Sequence, residues 1–492
     1  MNILLLYPKI PDTFWSFKHA LKFIRKRAGS PPLGLLTVAA LLPDHWNKRL
    51  VDFNVSTLGP DDMSWADYAF ISGMDLQREP THRLIEQCHQ NNLPVVGGGP
   101  LFSCAPDKFP EVDHLVLGEA EITLPGFLSD LQAGTPKNRY ETAQHPDLQL
   151  SPTPDWSLLN MDRYATMSVQ YSRGCPYHCE FCNVTTLFGH APRTKPSAQM
   201  IAELNALYSQ GWRDQIFFVD DNFIGHRKHL KNDLLPALIH WRETHPEISF
   251  LTETSINLAD DPELMTMLSQ AGFQSVFIGI ETPEEACLHE ASKSQNQNRD
   301  MVADVKRIHQ NGIQVQGGFI VGFDNDPPSI FERQIQFIQQ SGIVVAMVGL
   351  LQAPSGTKLY ERLQEAGRLL GFMSGDNVDG STNILPKMGL DTLKTGYRHI
   401  LENIYSPKQY YQRLKTFLKD YKPGKVNTSV SREEIFALFR SIFQLGIVGK
   451  ERLYYWKLFF WTLFRKPKLF PLAITLSIYG YHFRKVCELH VF

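Results

Sequence analysis

The sequence predicts an α/β fold with an N-terminal doubly wound Rossmann-like domain, a central partial (βα)6 barrel and a mainly helical C-terminal region. Three observations support this prediction. Short apolar runs alternate with helical stretches up to about residue 130, a second such series spans residues 166–351, and strand-like alternation disappears after about residue 395. Alternating strands and helices favour parallel sheets, because a parallel connection needs a crossover.

The composition favours a globular protein with sizeable cores, since 43% of the 492 residues are hydrophobic and 20% are charged. A net charge of -2 gives no reason to expect a nucleic-acid partner. The N-terminus lacks the features of a signal peptide, and no apolar run reaches the roughly 18 residues of a transmembrane helix. We therefore expect a cytoplasmic protein, with peripheral membrane contact left open.

The first series predicts a doubly wound domain over residues 1–135. Its strands are expected at Asn2–Tyr7, Arg49–Asn54, Tyr68–Met74, Pro94–Gly99 and His114–Gly118. Helices are expected at Leu33–Leu42 and Thr81–Asn91. Ligands of such sheets bind beyond the carboxyl ends of the strands, where the glycines of this series lie. Residues 136–165 contain several prolines, lack periodicity and predict a linker.

The second series predicts a partial barrel over residues 166–355. Its strands are expected at Thr166–Tyr171, Gln215–Asp220, Phe250–Thr254, Ser275–Glu281, Val315–Phe323 and Val344–Leu351. Helices are expected at Ser197–Ser209, Asp261–Ala271, Asn298–Asn311 and Ile330–Ser341. Chemistry in this architecture collects at the carboxyl ends of the strands, where polar residues follow several of them.

The strongest chemical signal is a loop with three of the 7 cysteines, Cys175, Cys179 and Cys182. Thiolates select iron–sulfur clusters or zinc. Three cysteines on a four-iron cluster would leave one iron open, which is a catalytic arrangement. The alternatives are a zinc knuckle completed by His178 or His190, or three cysteines packed in a core.

At this loop the sequence resembles the radical S-adenosylmethionine (SAM) superfamily, whose signature is CxxxCxxC with an aromatic residue before the last cysteine. The resemblance implies a [4Fe–4S] cluster on Cys175, Cys179 and Cys182. It also implies SAM contacts by Phe181, Asp221, Asn222, Glu253, Ser255, Glu281 and Gly322. The chain has Asp220-Asp221-Asn222 where the superfamily commonly has a Gly-Gly-Glu-like segment. We expect Asp220 to be a structural hydrogen-bond acceptor instead.

The N-terminal half resembles the cobalamin-binding domain of the subgroup that joins such a domain to a radical SAM barrel. The matching segments are Pro31–Leu35, Val95–Pro100 and Asp113–Glu119. The resemblance implies cobalamin contacts by Leu33, Gly34, Gly97, Gly98, Gly99, Gly118 and Glu119. The Asp-x-His-x-x-Gly segment that gives cobalt a histidine in other cobalamin domains is absent. A C-terminal extension similar to that of hopanoid 2-methylase-like members covers roughly residues 349–411.

This resemblance implies a methyltransferase. SAM would be cleaved at the cluster to a 5′-deoxyadenosyl radical that removes hydrogen from an unactivated carbon, and methylcobalamin would deliver the methyl group. The implied partners are a small-molecule or lipid substrate, such as a hopanoid, and an electron donor such as flavodoxin or ferredoxin. Two alternatives stay open. One is a radical SAM enzyme that rearranges, cyclises or oxidises its substrate, and the other is a non-catalytic iron–sulfur or cobalamin sensor.

Residues 356–492 predict a helical C-terminal extension with an aromatic and basic tail. Between Lys450 and Lys485, eight Lys or Arg are interleaved with Tyr, Trp, Phe and Leu. This pattern is typical of membrane-interface helices. It also fits the core of a small helical domain whose Lys and Arg extend to its rim.

Overall fold

A computed structural model of the chain describes residues 1–376, 378–424 and 432–492. Its first sheet has six parallel strands in the order β2-β1-β3-β4-β5-β6. These are β1 (Asn2–Tyr7), β2 (Asn47–Asp52), β3 (Tyr68–Ser72), β4 (Val95–Gly98), β5 (His114–Val116) and β6 (Arg139–Tyr140). The helices are α1 (Lys18–Leu21), α2 (Leu33–Leu41), α3 (Asp62–Trp65), α4 (Arg78–Gln90), α5 (Pro100–Cys104) and α6 (Ala120–Gln132).

Apolar residues cover both faces of this sheet. In β1, Ile3 and Leu5 enter one core while Leu4 and Leu6 enter the other. A strand buried on both faces has a continuous apolar run, and this explains why the sequence predicts β1 correctly. The predicted linker contributes a strand, since β6 pairs with β5. The sequence misses β6 because two residues carry no periodicity.

The second sheet is also parallel, and its six strands have the order β14-β13-β12-β11-β10-β7. The strands β8 and β9 form a separate antiparallel pair. The strands are β7 (Met167–Val169), β8 (Ser172–Arg173), β9 (Arg193–Thr194), β10 (Ile216–Phe218), β11 (Phe250–Thr254), β12 (Phe273–Glu281), β13 (Gln314–Val321) and β14 (Ala346–Leu350). The helices are α7 (Val184–Phe188), α8 (Ser197–Ser209), α9 (Arg227–His229), α10 (Leu235–Arg242), α11 (Pro262–Ala271), α12 (Glu285–Glu290), α13 (Met301–Gln310) and α14 (Ile330–Ser341).

The C-terminal region is helical and shares the core of the barrel. Its helices are α15 (Lys358–Glu365), α16 (Leu390–Ile404), α17 (Pro407–Asp420), α18 (Arg432–Ser441), α19 (Arg452–Arg465) and α20 (Phe470–His490), and π-helical turns at Ile442–Val448 extend α18. Helix α14 contacts α16 and α17, while α20 contacts α1, α17, α18 and α19. Within the described residues, no helix combines the length and apolar character needed to cross a bilayer.

Candidate active site

A cavity of about 1190 Å³ lies between the first sheet and the barrel. Residues at the carboxyl ends of β1, β3 and β4 line it, as expected at the point where strand order reverses in a doubly wound sheet. Predicted cobalamin contacts line this cavity, namely Leu33, Gly34, Gly98, Gly99, Gly118 and Glu119. Two predicted SAM contacts, Asp221 and Glu253, line it as well. The fold thus brings six of the seven predicted cobalamin contacts and two of the seven predicted SAM contacts to one cavity.

Two of the cavity glycines leave room for a ligand. A Cβ atom added at Gly34 or Gly118 would meet no atom within 4 Å. A third glycine, Gly99, has a φ of +84°, and a Cβ there would lie 2.3 Å from the Ser72 Oγ. Gly97 does not line the cavity and packs against the ring of Phe102. These open glycine positions fit a broad cofactor such as cobalamin.

The cysteine loop follows the β8 strand and lies near the ends of the barrel strands. The Asn222 amide lies 3.9 Å from the Cys175 Sγ, and the Gln295 amide donates to the Cys179 Sγ at 3.6 Å. Burial raises the pKa of Cys182 to about 12, and nearby Cys179 adds to the effect. Three soft sulfur donors on one loop fit an iron–sulfur cluster.

The zinc alternative receives no support from geometry. Among the described residues, no three His, Cys, Asp or Glu side chains converge closely enough to hold a single metal ion. The rings of His178 and His190, the two candidate zinc ligands, contact each other with centroids 4.0 Å apart. The assignment of the three cysteines to a cluster therefore depends on their spacing and on the chemistry of their sulfurs.

The C-terminal extension holds the cysteine loop. Glu180, which lies between the second and third cysteines, accepts two hydrogen bonds from Arg362 of α15, at 2.6 and 3.0 Å. The Glu180 N–H donates to the Ala291 carbonyl at 2.9 Å, and its carbonyl accepts from the Leu359 N–H at 3.1 Å. These contacts fix the loop from both the barrel and α15.

A buried lysine that the sequence analysis misses lies beside the cysteines. Lys293 forms an ion pair with Glu281, whose backbone has a φ of +62°. Burial alone would lower the pKa of Lys293, but the charges of Glu281 and Cys179 raise it instead. Glu281, a predicted SAM contact, is thus paired with a cation. The pair could not be found from sequence, because nothing local links the two residues.

Three carboxyl groups meet where β10 and β11 end. Asp220 accepts hydrogen bonds from the N–H groups of Tyr171 and Ser172 and from the Ser172 hydroxyl, which confirms its predicted role as a structural acceptor. Burial raises the pKa of Asp220 to about 7 and that of Asp221 to about 6. Glu253 faces the cavity, and burial together with the charges of Asp221 and Asp220 raises its pKa to about 8.

The other predicted SAM contacts lie near the cysteine loop and outside the cavity lining. Asn222 donates to the Ser255 hydroxyl at 3.3 Å, which in turn donates to Asn257 at 2.7 Å. Asn257 donates to the Tyr177 hydroxyl within the cysteine loop at 2.6 Å. Gly322 has a φ of +113°, and its N–H donates to Asp326 at 2.7 Å. Phe181 packs with its ring centroid 6.4 Å from that of Phe323.

Glu119 joins the first domain to the cysteine loop. Its carboxylate accepts hydrogen bonds from Arg173 at 2.7 Å and from Arg193 at 2.8 and 3.0 Å. Arg173, two residues before Cys175, also contacts Glu121. Burial alone would lower the pKa of Arg173, but Glu121 and Glu119 raise it. The Glu119 carboxylate, which was predicted to contact cobalamin, is therefore ion-paired with both Arg173 and Arg193.

Replacing Glu119 by Gln should destabilise the protein. The Glu119 side chain is only 2% exposed, and the substitution would leave Arg193 without its buried counter-charge. Breaking one partner of a buried ion pair costs about 3 kcal/mol, so we expect a loss of that size in the free energy of unfolding. Chemical denaturation under anaerobic conditions measures it. The control is Glu141→Gln, whose partner Arg139 is 42% exposed. A similar loss in both variants would contradict the prediction.

Glu253→Gln should weaken the pH dependence of stability. A carboxyl whose pKa is higher in the folded chain binds its proton more tightly there, so the folded state loses stability as pH rises from about 4.5 towards 8. Without this carboxyl, we expect the loss between pH 5 and pH 8 to shrink by at least about 1 kcal/mol. Denaturation at a series of pH values tests this, with exposed Glu365→Gln as the control. An unchanged pH profile in Glu253→Gln would refute it.

Comparisons with known proteins show which class of protein this chain belongs to. Residues 169–338 match the family model of the Radical SAM superfamily, and residues 357–491 match a domain of unknown function, DUF4070. An uncharacterized methyltransferase of Synechocystis is 37% identical over 99% of this chain and 92% of its own length. The hopanoid C-2 methylase of Rhodopseudomonas palustris is 35% identical over 93% of this chain and 88% of its own.

A solved structure shares the fold. OxsB, a cobalamin-dependent S-adenosylmethionine radical enzyme, superposes with a TM-score of 0.60 at 15% identity, covering 99% of this chain and 80% of that chain. The fold and the cysteine loop define a radical SAM enzyme, a class that holds a [4Fe–4S] cluster and uses SAM. Within this class, the chain belongs to the methyltransferase family of the Synechocystis and Rhodopseudomonas relatives. The predicted superfamily, fold class and enzyme class are confirmed.

Proposed function

We propose that this protein is a cobalamin-dependent radical SAM enzyme that methylates an unactivated carbon of an apolar polycyclic lipid, with hopanoids as the leading class. When bound, the cluster, SAM and cobalamin would supply the radical chemistry and the methyl group. The protein would place these groups around one cavity and exclude water from it. The 35% identity to a hopanoid C-2 methylase supports the lipid class.

The chain divides the cofactors between two regions in this proposal. Residues 166–355 would hold the cluster on Cys175, Cys179 and Cys182, with SAM at the adjoining strand ends. Residues 1–135 would hold cobalamin against the open glycines Gly34 and Gly118. OxsB, which has the same fold, binds aqua-cobalamin and SAM. Residues 356–492 would complete the substrate side, beyond a connecting segment at 136–165.

The apolar wall of the cavity is the observation that carries the substrate class. Helix α20 contributes Phe470, Ile474 and Ile478, and α18 contributes Ile435 and Leu438. The cavity volume of about 1190 Å³ exceeds the range of about 300–1,000 Å³ that holds one ligand. A cavity of this size is larger than one drug-sized ligand needs, which supports an extended group in it. Because apolar polycyclic lipids reside in membranes, peripheral membrane contact belongs to this proposal.

Aromatic side chains also line the cavity on the side of the barrel. Trp15, from a short 3₁₀ helix at Phe14–Ser16 that precedes α1, packs against Phe277 of β12 with ring centroids 4.8 Å apart. Both residues line the cavity. Apolar rings on both sides favour a flat hydrocarbon over a charged metabolite. The side chain of Gln316 adds a polar group that could orient a single hydroxyl.

Anaerobic reconstitution tests the proposed function. The full chain would be supplied with iron, sulfide, cobalamin and SAM carrying a labelled methyl group. A flavodoxin or dithionite would reduce it, and a detergent-dispersed hopanoid would be the substrate. We expect 5′-deoxyadenosine and a methylated hopanoid that forms only with cobalamin. If 5′-deoxyadenosine forms and the product is altered without a new methyl group, the rearrangement alternative holds. If SAM is not cleaved under any reducing condition, the proposal is wrong.

A further inference from the structure

Two helices of the C-terminal region expose an apolar face. On α18 and the π-helical turns that follow it, the exposed side chains are Ile435, Phe436, Phe439, Phe443, Ile447 and Val448. On α19 they are Leu453, Phe460, Leu463 and Phe464. We call this set the apolar face. Phe439 is 63% exposed and Phe464 is 76% exposed. An apolar patch of this kind marks a site of interaction with a protein or a membrane.

The opposite sides of the same helices belong to the core. Leu445, Tyr455 and Leu458 are buried in the cluster that also contains barrel residues. The two interpretations of the aromatic tail thus apply to different sides of the helices. The side that faces the barrel is core, and the apolar face requires a separate explanation.

The charge around the apolar face favours an anionic lipid surface. Residues 432–468, which carry the apolar face, include eight Lys or Arg and three acidic residues, Glu433, Glu434 and Glu451. Of these three, Glu451 is buried and paired with Arg484. The exposed basic residues are Lys450, Arg452, Lys457, Arg465 and Lys468. Aromatic side chains interleaved with cations fit the interface of an anionic bilayer. A second copy of this chain fits less well, because symmetric pairing would place these cations against each other.

The apolar face reaches the wall of the cavity. Ile435 is 45% exposed and also lines the cavity, and Leu438 lines it one turn further along α18. Arg440 holds α18 against the first domain by donating to the Phe23 carbonyl at 2.6 Å. Phe23 and Ile24 line the cavity from that domain. The apolar face and the cavity wall therefore meet at Ile435, where Glu434 also lines the cavity.

We propose that the apolar face docks on an anionic bilayer and that the apolar substrate passes from the bilayer into the cavity beside Ile435. This inference rests on the proposed function for the identity of the substrate. The docking itself depends only on the surface of α18 and α19. A bilayer on this face would cover the exposed phenylalanines and neutralise the surrounding cations in one contact.

Vesicle sedimentation tests the docking. The probe is a phosphatidylcholine vesicle with or without phosphatidylglycerol, and the variant is Phe439→Ser with Phe443→Ser. We expect the full chain to prefer the anionic vesicles and the variant to bind them at least about tenfold more weakly. The control is Leu150→Ser with Leu370→Ser, since both leucines are exposed outside the apolar face. Deleting the tail is unsuitable, because α20 packs in the core.

Activity measurements separate docking from the proposed function. The phenylalanine variant should make 5′-deoxyadenosine normally and methylate detergent-dispersed hopanoid normally, but it should methylate hopanoid in vesicles more slowly. Equal vesicle binding by the variant and the unmodified chain would overturn the docking proposal. The docking proposal would also be overturned if the chain did not bind vesicles and instead formed a dimer that the same substitutions disrupt. If vesicle binding behaves as expected but no hopanoid is methylated in detergent, the docking proposal stands and the proposed function fails.

Discussion

Cys179→Ala is expected to abolish 5′-deoxyadenosine formation from SAM. Removing a residue that hydrogen-bonds to a metal ligand typically lowers the affinity for the metal by about 10–100-fold. Losing one of the three sulfur ligands themselves should lower the affinity for the cluster at least as much. The substitution itself is small, and Cys179 is only half-buried, so the fold should persist. Iron and sulfide analysis after anaerobic reconstitution, followed by product chromatography, measures both effects.

The matched control for this prediction is Cys104→Ala. Cys104 is also half-buried, and its sulfur accepts a hydrogen bond from the Asn183 amide at 3.4 Å, next to the cysteine loop. It lies outside the CxxxCxxC spacing, so the control should keep its iron and its product. Retention of full activity by Cys179→Ala would refute the cluster assignment. Stoichiometric zinc in a colourless protein would refute it as well.

Gly34→Phe is expected to displace cobalamin and to stop methylation while SAM cleavage continues. Gly34 lies in the first turn of α2, and a Cβ added there would meet no atom within 4 Å. A phenyl ring would therefore occupy ligand volume without disturbing the core. Overpacking costs about 1–3 kcal/mol, so cobalamin should bind at least about fivefold more weakly. The absorbance of cobalamin retained through gel filtration measures the loss.

Gly34→Ala tests whether the effect comes from volume. One methyl group should fit the free space, and alanine favours a helix over glycine by about 1 kcal/mol. This variant should fold at least as well as the unmodified chain and keep cobalamin. If Gly34→Phe retains cobalamin and methylates its product, then the glycine side of the cavity is not the cofactor site. If both variants lose cobalamin equally, volume is not the cause.

Features encoded locally could be predicted from the sequence. The strand β1 and the helices Ser197–Ser209 and Ile330–Ser341 match their predicted bounds, because each has a strong apolar pattern and a distinct end. Most other predicted elements differ from the structure by one to three residues at their ends. The predictions name no helix at α1, α3, α5, α6, α7, α9, α10 or α12, and they omit the π-helical turns before α10 and the two-residue strands β6, β8 and β9. Short strands form through pairing with neighbours, which leaves no signal in their own sequence.

The cysteine spacing and the glycine-rich turns are local features of the sequence, and the family resemblance that they carry implies a radical SAM methyltransferase. Tertiary structure decided which of those residues face open space and which are already paired. Glu119 meets Arg173 across 54 positions of chain, and Glu281 meets Lys293 only in the folded barrel. The apolar wall and the exposed face arise from helices packed against distant segments. Such contacts depend on the packing of whole elements, so no local pattern records them.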